Sequence, residues 1–339
     1  MTDVRRVCVV VASRANYGRI KSALRAISDH DGLELQLVVS ASALLDRFGK
    51  VIDAIEADGF EIAAKVYVVL EGETPTTMAK TTGLAIIELA TIFENLSPDI
   101  VITVADRFET LATAVSASYM NIPLAHTQGG ETSGSIDQSV RHAITKLSNL
   151  HFPATEGAKK SILALGEPES RVHVVGCPAM DILVDLPPLN SEIFDRTKGT
   201  GPIPDLSKPY LMVVQHPVTT EYSRARDQID ETLSAVSNLN MQTIWLWPNV
   251  DAGAEAVSRG IRVFRENTER ANISFFKNFP PADYAALLKG AACIVGNSSS
   301  GIREAEFLGT PCVNIGSRQA GRERGANVID VGHDRDEIL

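Results

Sequence analysis

The sequence predicts an α/β protein of two domains, each built around a mainly parallel sheet. From the N terminus to about residue 182, short runs of β-branched residues alternate with longer amphipathic segments, which is typical of repeated strand–helix units. This rhythm stops at residues 183–209, which contain five prolines and have no strong hydrophobic period, and it resumes at residue 210. We therefore predict a first domain at 1–182, a linker or hinge at 183–209 and a second domain at 210–339.

In the first domain the apolar runs predict strands at RRVCVVV, LELQLVV, DIVITVAD, PLAH, LHFPA and RVHVVG. Helical spacing predicts helices over 17–28, 51–58, 77–95, 109–120 and 156–165. A further helix is expected to begin near Asp137, with that aspartate as its N-cap.

In the second domain strands are predicted at YLMVVQH, TIWLWP, ISFFKNF, ACIVGN, PCVNIG and NVIDV. The final residues, DRDEIL, predict the first turn of a helix that is then cut short. Two Rossmann-like domains of this kind bind ligands beyond the carboxyl ends of their strands, so we expect the site in a cleft between them.

Composition excludes several classes of partner. The chain has 339 residues, 44% of them hydrophobic, and a net charge of −10, which opposes nucleic-acid or membrane-surface binding. No apolar run could span a bilayer, and the N-terminal run is interpreted as a first strand, so a cytoplasmic protein is expected. The four cysteines are far apart and lie mostly in strand-like runs, which predicts buried thiols with no disulfide and no metal site.

Residues 126–146, HTQGGETSGSIDQSVRHAITK, hold the densest group of reactive side chains. Glu131 and Asp137 are expected at one mouth of the site. Gly129 and Gly130 would let the backbone approach a ligand closely. We interpret this segment as functional, since packing and capping alone do not require so many ionisable groups.

Polar residues also follow other predicted strands, where an α/β site places its working groups. Arg14 follows the first strand, Asp106 and Arg107 follow DIVITVAD, and His216 follows YLMVVQ. Each has a plainer interpretation, as a solvated arginine, a helix N-cap or a hydrogen-bonded wall histidine.

The run GNSSSGIREAEFLGTPCVNIGSRQAG is a stronger signal. Gly296 to Gly301 lead from a strand into a helix, so that amides and hydroxyls converge on an anion site the size of a diphosphate. Glu304 follows one turn later and could accept from ribose hydroxyls. Arg318, after the next strand, supplies a fixed positive fork.

Seven ordered motifs resemble those of the hydrolysing UDP-N-acetylglucosamine 2-epimerase family, which includes bacterial enzymes of sialic and legionaminic acid pathways and the epimerase half of the human bifunctional enzyme. They are SRANYG, ADRFE, GGETSGSIDQSVRHAITKL, GCPAMD, QHPVTT, PNVDAG and GNSSSGIRE with GSRQAGRE. The resemblance covers nearly the whole chain. It implies the glycosyltransferase-B architecture, with the nucleotide held mainly by the second domain.

The resemblance also implies roles for individual residues. The expected catalytic or substrate-orienting residues are Asp106, Glu131, Asp137 and His216. The expected substrate- and nucleotide-binding residues are Arg14, Arg107, Gln128, Arg141, Asn249, Ser298, Ser299, Glu304 and Arg318. Neither a cofactor nor a metal is implied, and a homodimer or higher homo-oligomer is expected.

The implied reaction converts UDP-GlcNAc and water into ManNAc and UDP. The C2 proton lies beside no carbonyl, so its removal requires departure of the C1 nucleotide, and elimination would give a 2-acetamidoglucal that is then hydrated. Three residues depart from the family pattern: Gln128 replaces a carboxylate, Ala43 a histidine and Asn16 an acidic residue. A 2,4-diacetamido-2,4,6-trideoxyhexose on UDP or GDP is therefore an alternative substrate. A non-hydrolysing epimerase, a glycosyltransferase and an inactive nucleotide-sugar sensor are the alternative functions.

Overall fold

The computed structural model of the protein describes residues 4–72, 74–105, 107–133, 136–184, 186–267 and 272–339. The chain divides into two compact units. The first ends at Asp181, and the main body of the second starts at Ile182.

The described residues of the first unit contain a six-stranded parallel sheet in the order β3-β2-β1-β4-β5-β6. Its strands are β1 (Arg5–Val11), β2 (Leu33–Ser40), β3 (Ile62–Val66), β4 (Ile100–Val104), β5 (Leu124–Thr127) and β6 (Leu150–Phe152). Its helices are α1 (Arg14–Gly18), α2 (Lys21–Ser28), α3 (Val51–Ala57), α4 (Pro75–Leu96), α5 (Phe108–Tyr119), α6 (Ile136–Leu147), α7 (Glu156–Ala164) and α8 (Pro178–Val184), the last running across the boundary.

Strand β1 shows why this sheet forms. Val9 and Val11 point into one hydrophobic cluster, whereas Cys8 and Val10 point into another on the opposite face. A strand covered on both faces needs an almost continuous apolar run, and VCVVV supplies it.

The described residues of the second unit contain a seven-stranded sheet in the order β13-β12-β11-β8-β9-β10-β7, parallel except for β7. Its strands are β7 (Gly199–Thr200), β8 (Tyr210–Val214), β9 (Gln242–Leu246), β10 (Ile273–Phe276), β11 (Cys293–Gly296), β12 (Cys312–Ile315) and β13 (Val328–Val331). Its helices are α9 (Glu192–Arg196), α10 (Ala225–Asn238), α11 (Ala254–Asn267), α12 (Pro281–Gly290), α13 (Ser299–Ile302), α14 (Glu304–Leu308) and α15 (Arg335–Ile338).

Each sheet has one point at which the strand order reverses direction. In the first unit it lies between β1 and β4, and in the second between β8 and β11. Loops that leave adjacent strands at such a point run to opposite faces of the sheet, so a crevice opens beyond the carboxyl ends of the strands. A ligand site is therefore expected at these crevices.

The segment predicted as a linker is partly folded. Ile193 and Phe194 of α9 are buried in the core of the second unit, and β7 pairs antiparallel with β10. Two buried residues among prolines produce no hydrophobic period, which is why the sequence predicted an irregular segment.

Two strands also differ from prediction. β3 was not predicted, because two of its five residues are exposed, two are only partly buried and one is buried, so its apolar signal is weak. The predicted strand RVHVVG forms only one bridge, between His151 and Val172, and Val175 is 58% exposed.

The four cysteines lie in the described part of the chain and are thiols. Cys8 and Cys312 are buried as predicted, whereas Cys177 and Cys293 are partly exposed. Among the helices described, none combines the length and apolar character needed to cross a membrane.

Candidate active site

Asn16 joins the two strands at the reversal point of the first unit. Its Oδ1 accepts from the Ala12 amide at 3.2 Å, and its Nδ2 donates to the Val104 carbonyl at 3.3 Å. The side chain is 1% exposed. An ionised acidic side chain could not donate to Val104, so asparagine at this position fastens β1 to β4.

Arg14 is the first residue of α1 and is partly exposed beside this junction. The helix is anchored from below by Tyr17, whose hydroxyl donates to Asp58, and Lys21 pairs with the same carboxylate at 2.7 Å. Burial, followed by the hydrogen bond to Asp58, raises the pKa of Tyr17. The hydrogen bond from Tyr17 to Asp58 therefore holds α1, the short helix whose first residue is Arg14, in place.

Ala43, another departure from the family pattern, is fully buried in the core of the first unit. Its amide donates to the Ala12 carbonyl at 3.2 Å. The residue therefore packs in the hydrophobic core next to the end of β1.

The end of β4 has an unusual backbone. Ala105 adopts a left-handed conformation, with φ of 66°, which costs an alanine about 1 kcal/mol or more. Asp106 follows directly in sequence and lies outside the described residues.

Arg107 has a carboxylate partner. Its Nε and a terminal nitrogen donate to the two carboxylate oxygens of Glu109 at 3.1 and 3.2 Å, and both side chains are buried. This forked pair uses charge that the sequence assigned to a diphosphate. Contact of Arg107 with a ligand stays a prediction.

The diglycine after β5 serves packing. A Cβ on Gly129 would lie 2.9 Å from Nδ1 of His126, and one on Gly130 would lie 2.1 Å from the carbonyl oxygen of Ala158. Gly130 also has a φ of 79°. Both positions therefore require glycine for packing, because side chains are excluded by His126 and by α7. The approach of a ligand to this backbone stays a prediction.

Gln128 lies between β5 and the diglycine, with a left-handed φ of 60° and 1% exposure. Its Nε2 lies 3.5 Å from Sγ of Cys177, in the sequence GCPAMD. Two segments predicted to be functional therefore meet here within the first unit.

Arg141 is 1% exposed and reaches back from α6 to donate to the carbonyl oxygen of Glu131. It thereby supports the backbone that carries the Glu131 side chain, which is itself partly exposed. Asp137 is not an N-cap as expected: α6 starts at Ile136, so Asp137 lies in its first turn. A carboxylate there is stabilised by the positive end of the helix.

Asn297 holds the reversal point of the second unit. Its Oδ1 accepts from the His216 amide and its Nδ2 donates to the His216 carbonyl, both at 2.8 Å, and the side chain is fully buried. The Asn249 amide donates to Nδ1 of His216 at 3.1 Å. Since a backbone N–H only donates, the neutral ring of His216 carries its proton on Nε2. His216 is thus set up as a hydrogen-bond donor and not as a base.

The strand end before Asn297 requires glycine. Gly296 has a φ of 131°, and a Cβ there would lie 2.3 Å from the Val214 carbonyl oxygen. Ser298 then caps α13 by accepting from the Ser300 amide. A chain of hydroxyls extends from it, with Ser298 Oγ 2.9 Å from Ser300 Oγ and Ser300 Oγ 2.5 Å from the Tyr284 hydroxyl.

Arg318 lies over the same strand end. One terminal nitrogen donates to the Asn297 carbonyl at 3.2 Å, and the other lies 3.8 Å from an Asp251 carboxylate oxygen. Gln319 donates to the Asn297 carbonyl as well, at 2.8 Å. Glu304, the first residue of α14, has a buried Oε2 atom with no hydrogen-bond partner. An unpaired buried carboxylate oxygen is costly, and a hydroxyl-bearing ligand would satisfy it.

Several residues of this arrangement were not predicted. Tyr284 is a single polar residue in a segment without a site pattern, and only its contacts reveal it. Asp251 lies in the motif PNVDAG and could have been found from it. Glu221, the last residue of HPVTTE, could have been found from that motif. Its carboxylate accepts from Ser317 at 2.5 Å and from Gln228 at 2.7 Å, which ties the His216 loop to the Arg318 loop. The hydrogen bond from Ser317 is the main cause that lowers the pKa of Glu221.

Comparison with known proteins shows the family to which the chain belongs. The family model described as UDP-N-acetylglucosamine 2-epimerase matches residues 25–339. The chain is 34% identical to UDP-N,N'-diacetylbacillosamine 2-epimerase (hydrolyzing) of Legionella pneumophila, over 99% of this chain and 87% of that protein. It is also 34% identical to GDP/UDP-N,N'-diacetylbacillosamine 2-epimerase (hydrolyzing) of Campylobacter jejuni, over 96% and 84%.

Solved structures share the fold at lower identity. UDP-GlcNAc 2-epimerase of Methanocaldococcus jannaschii, in complex with UDP-GlcNAc and UDP, superposes with a TM-score of 0.79 at 18% identity, over 98% of this chain and 90% of that one. The Neisseria meningitidis enzyme bound to UDP-GlcNAc gives 0.78 at 17% identity, over 98% and 89%. The two α/β units are thus Rossmann-like domains of the glycosyltransferase-B type, and the chain belongs to the UDP-N-acetylglucosamine 2-epimerase family.

Proposed function

We propose that the protein is a hydrolysing 2-epimerase of a UDP-linked 2-acetamido sugar. The observation that carries the proposal is the different chemistry at the two reversal points. In the first unit the loop after β5 carries Glu131 and the first turn of α6 carries Asp137, whereas the second unit presents donors from His216, the serines and Arg318. Carboxylates suit proton transfer, and clustered donors suit a departing diphosphate.

The reaction has two halves. A base removes the proton from C2 while the bond between C1 and the diphosphate oxygen breaks, which leaves a C1–C2 double bond and free UDP. Water then adds, with hydroxyl to C1 and a proton to C2 from the opposite face. The products are UDP and the free 2-epimeric sugar, and no oxidant or reductant is needed.

In the first domain we assign proton transfer to Asp106, Glu131 and Asp137. Gln128 has no basic group, so it is proposed to contact the substrate only. Arg14 is proposed to contact the diphosphate from its short helix, and Arg141 contributes by holding the backbone of Glu131.

In the second domain we assign the nucleotide. Glu304 is proposed to accept from the ribose hydroxyls, since its buried Oε2 has no partner. Ser298, Ser299 and Arg318 are proposed to bind the diphosphate, with His216 donating from Nε2 to an oxygen that gains charge as the C1 bond breaks. Asn249 contributes the amide that sets the tautomer of His216.

Two sugars are candidates. The sequence predicted UDP-GlcNAc first, with a 2,4-diacetamido-2,4,6-trideoxyhexose as the alternative. Two relatives at 34% identity carry diacetylbacillosamine and hydrolyzing in their names, whereas a UDP-GlcNAc 2-epimerase of Neisseria meningitidis is 28% identical. We therefore propose UDP-N,N'-diacetylbacillosamine as the preferred substrate and UDP-GlcNAc as the second.

A panel of nucleotide sugars, followed by NMR in heavy water, tests the proposal. We expect free UDP together with a free sugar that carries deuterium at C2, and the same chain with Glu131→Gln as the inactive control. Interconverted nucleotide sugars without free UDP would indicate a non-hydrolysing epimerase. UDP release that requires an acceptor would indicate a glycosyltransferase, and binding without turnover would indicate a sensor.

A further inference from the structure

The buried imidazole of His126 connects three segments of the first unit. The side chain is fully buried at the third residue of β5. Its Nε2 lies 2.7 Å from the Ala105 carbonyl oxygen at the end of β4, and its Nδ1 lies 3.2 Å from the Thr145 hydroxyl on α6. One ring therefore links β4, β5 and α6.

The hydrogen-bond pattern assigns the tautomer of this ring. A carbonyl oxygen only accepts, so Nε2 carries the proton and Nδ1 accepts from the Thr145 hydroxyl. Burial is the main cause that lowers the pKa of His126 to about 4; the hydrogen bond to Ala105 and the charge of Glu131 act against it, and the facing His151 acts in the same direction as burial. The ring is thus neutral at neutral pH.

The carbonyl that His126 holds belongs to the strained residue Ala105. A non-glycine residue persists in the left-handed region only where its surroundings over-determine it, and such residues cluster at functional sites. Here the Ala105 amide is bound by the Thr127 carbonyl at 3.1 Å and its carbonyl by His126. The Ala105 carbonyl belongs to the planar peptide bond that joins Ala105 to Asp106 in the sequence.

The ring also shapes the loop after β5. A Cβ at Gly129 would approach His126 Nδ1 to 2.9 Å and Thr145 Oγ1 to 3.2 Å, so the loop folds directly over the ring. Two residues later this loop presents Glu131, whose carbonyl is held by Arg141. The position of Glu131 therefore depends on how the loop lies against His126.

We propose that His126 is a positioning residue, which holds the strained Ala105 at the end of β4 and the loop after β5 in the conformation that presents the carboxylate of Glu131. The inference rests on the proposed function for the reaction that this carboxylate serves. It assigns a positioning role to a fully buried histidine.

Three variants separate the two hydrogen bonds of the ring. His126→Phe keeps a flat ring and removes both bonds, His126→Gln restores a donor near the position of Nε2, and Thr145→Val removes only the hydroxyl. We expect kcat to fall at least 30-fold in the phenylalanine variant and to recover at least fivefold in the glutamine variant. The valine variant should lose less than fivefold, and the dissociation constant for UDP should stay within twofold in all three.

His151→Phe is the matched control, since His151 is equally buried and pairs in register with His126 on the neighbouring strand. It should lower the melting temperature while kcat changes less than threefold. Equal losses of kcat in both phenylalanine variants would overturn the inference, because burial alone would then explain them. A phenylalanine variant at His126 that keeps kcat within threefold would overturn it too.

Hydrogen exchange of the folded variants decides the inference independently of turnover. We expect at least tenfold faster amide exchange over 103–110 and 127–133 in His126→Phe, slower exchange again in His126→Gln and no change there in His151→Phe. Unchanged exchange in His126→Phe would overturn the inference. If the wild-type protein releases no UDP from any nucleotide sugar, the proposed function fails and this exchange measurement alone decides.

Discussion

Asn297 and His216 exchange two hydrogen bonds of 2.8 Å: the His216 amide donates to Oδ1 of Asn297, and Nδ2 of Asn297 donates to the His216 carbonyl. They fasten the ends of β8 and β11 at the point where the strand order of the second unit reverses. Asn16 makes a comparable link between β1 and β4 in the first unit. An asparagine suits both places, because its amide donates and accepts at once and so satisfies two buried backbone groups.

Replacing either asparagine by aspartate tests this relationship. Asn297→Asp and Asn16→Asp each put an acceptor against a buried carbonyl, so each should lower the free energy of unfolding by about 1–3 kcal/mol. Only Asn297→Asp should also weaken UDP binding, by at least tenfold, because only it disturbs the proposed nucleotide site. Urea unfolding and calorimetric titration with UDP measure the two effects. Equal loss of UDP affinity in both variants would contradict the division of labour between the domains.

The proposed catalytic carboxylates have a distinct signature. Asp106→Asn and Glu131→Gln should each lower kcat by about 10²–10⁴-fold, the range for loss of a general acid or base. UDP affinity should stay within about threefold, since neither residue is assigned to the diphosphate. Glu56→Gln, at an exposed position in the same domain, is the control. Near-normal turnover in both active-site variants would remove these two residues from the mechanism.

Replacing Glu304 by glutamine should stabilise the ligand-free protein and weaken UDP binding. Its buried Oε2 has no partner in the protein, so Glu304→Gln should raise the melting temperature of the ligand-free protein. The amide accepts less well from ribose hydroxyls, and UDP affinity should fall by about 10–100-fold, which corresponds to about 1.5–3 kcal/mol for a hydrogen bond to a charged group. Thermal unfolding with and without UDP measures both terms. A variant that loses stability without UDP and keeps its UDP affinity would disprove the ribose assignment.

Variants of the buried pair of Arg107 and Glu109 test whether Arg107 has a structural role only or also binds the ligand. Removing one member leaves an uncompensated buried charge, so Glu109→Gln should lower the free energy of unfolding by about 3–5 kcal/mol. Arg107→Met combined with Glu109→Gln should cost less than the sum of the single variants. If Arg107 also binds the diphosphate, as the sequence predicted, the double variant should lose at least tenfold in UDP affinity. Unchanged affinity would confine Arg107 to the loop.

Stability should fall in mild acid because of buried neutral histidine. The pKa of His126 is lowered to about 4 in the folded protein, against about 6.5 in an unfolded chain. Between these values the unfolded state binds a proton that the folded state excludes, so the stabilisation is complete above pH 6.5 and is lost as the pH falls toward 4. Burial lowers the pKa of His151 as well, which acts in the same direction.

Urea unfolding at several pH values between 7 and 4.5 measures this dependence. In His126→Gln the free energy of unfolding should fall less steeply with acid than in the wild type. The exposed His30→Gln serves as control and should retain the wild-type slope. Identical slopes for the wild type and the His126 variant would refute the explanation.

Continuous apolar runs made most strands of the fold predictable. The runs VCVVV and LMVV are buried on both faces of their sheets, so nearly every residue carries the signal. β3 was missed for the converse reason, since an edge strand with alternating burial differs little from a loop. The sequence predicted a linker at 183–209, because Phe194 can be recognised as a core residue only from the phenylalanines against which it packs.

The candidate site, like the fold, could be predicted from the sequence only in part. Chain order and residue type are sufficient to place Glu131, His216 and Glu304 after strands or at helix starts, because parallel sheets put such positions at one edge. Which polar groups are already satisfied is a property of three-dimensional contacts. Only the tertiary structure shows that Asn16 is used as a fastener, that Gly129 makes room for His126, and that Glu304 has an unsatisfied oxygen. Hydrogen bonds between residues about 80 to 90 positions apart leave no local periodicity, so the strand pattern could be predicted from the sequence whereas the partners of its polar residues could not.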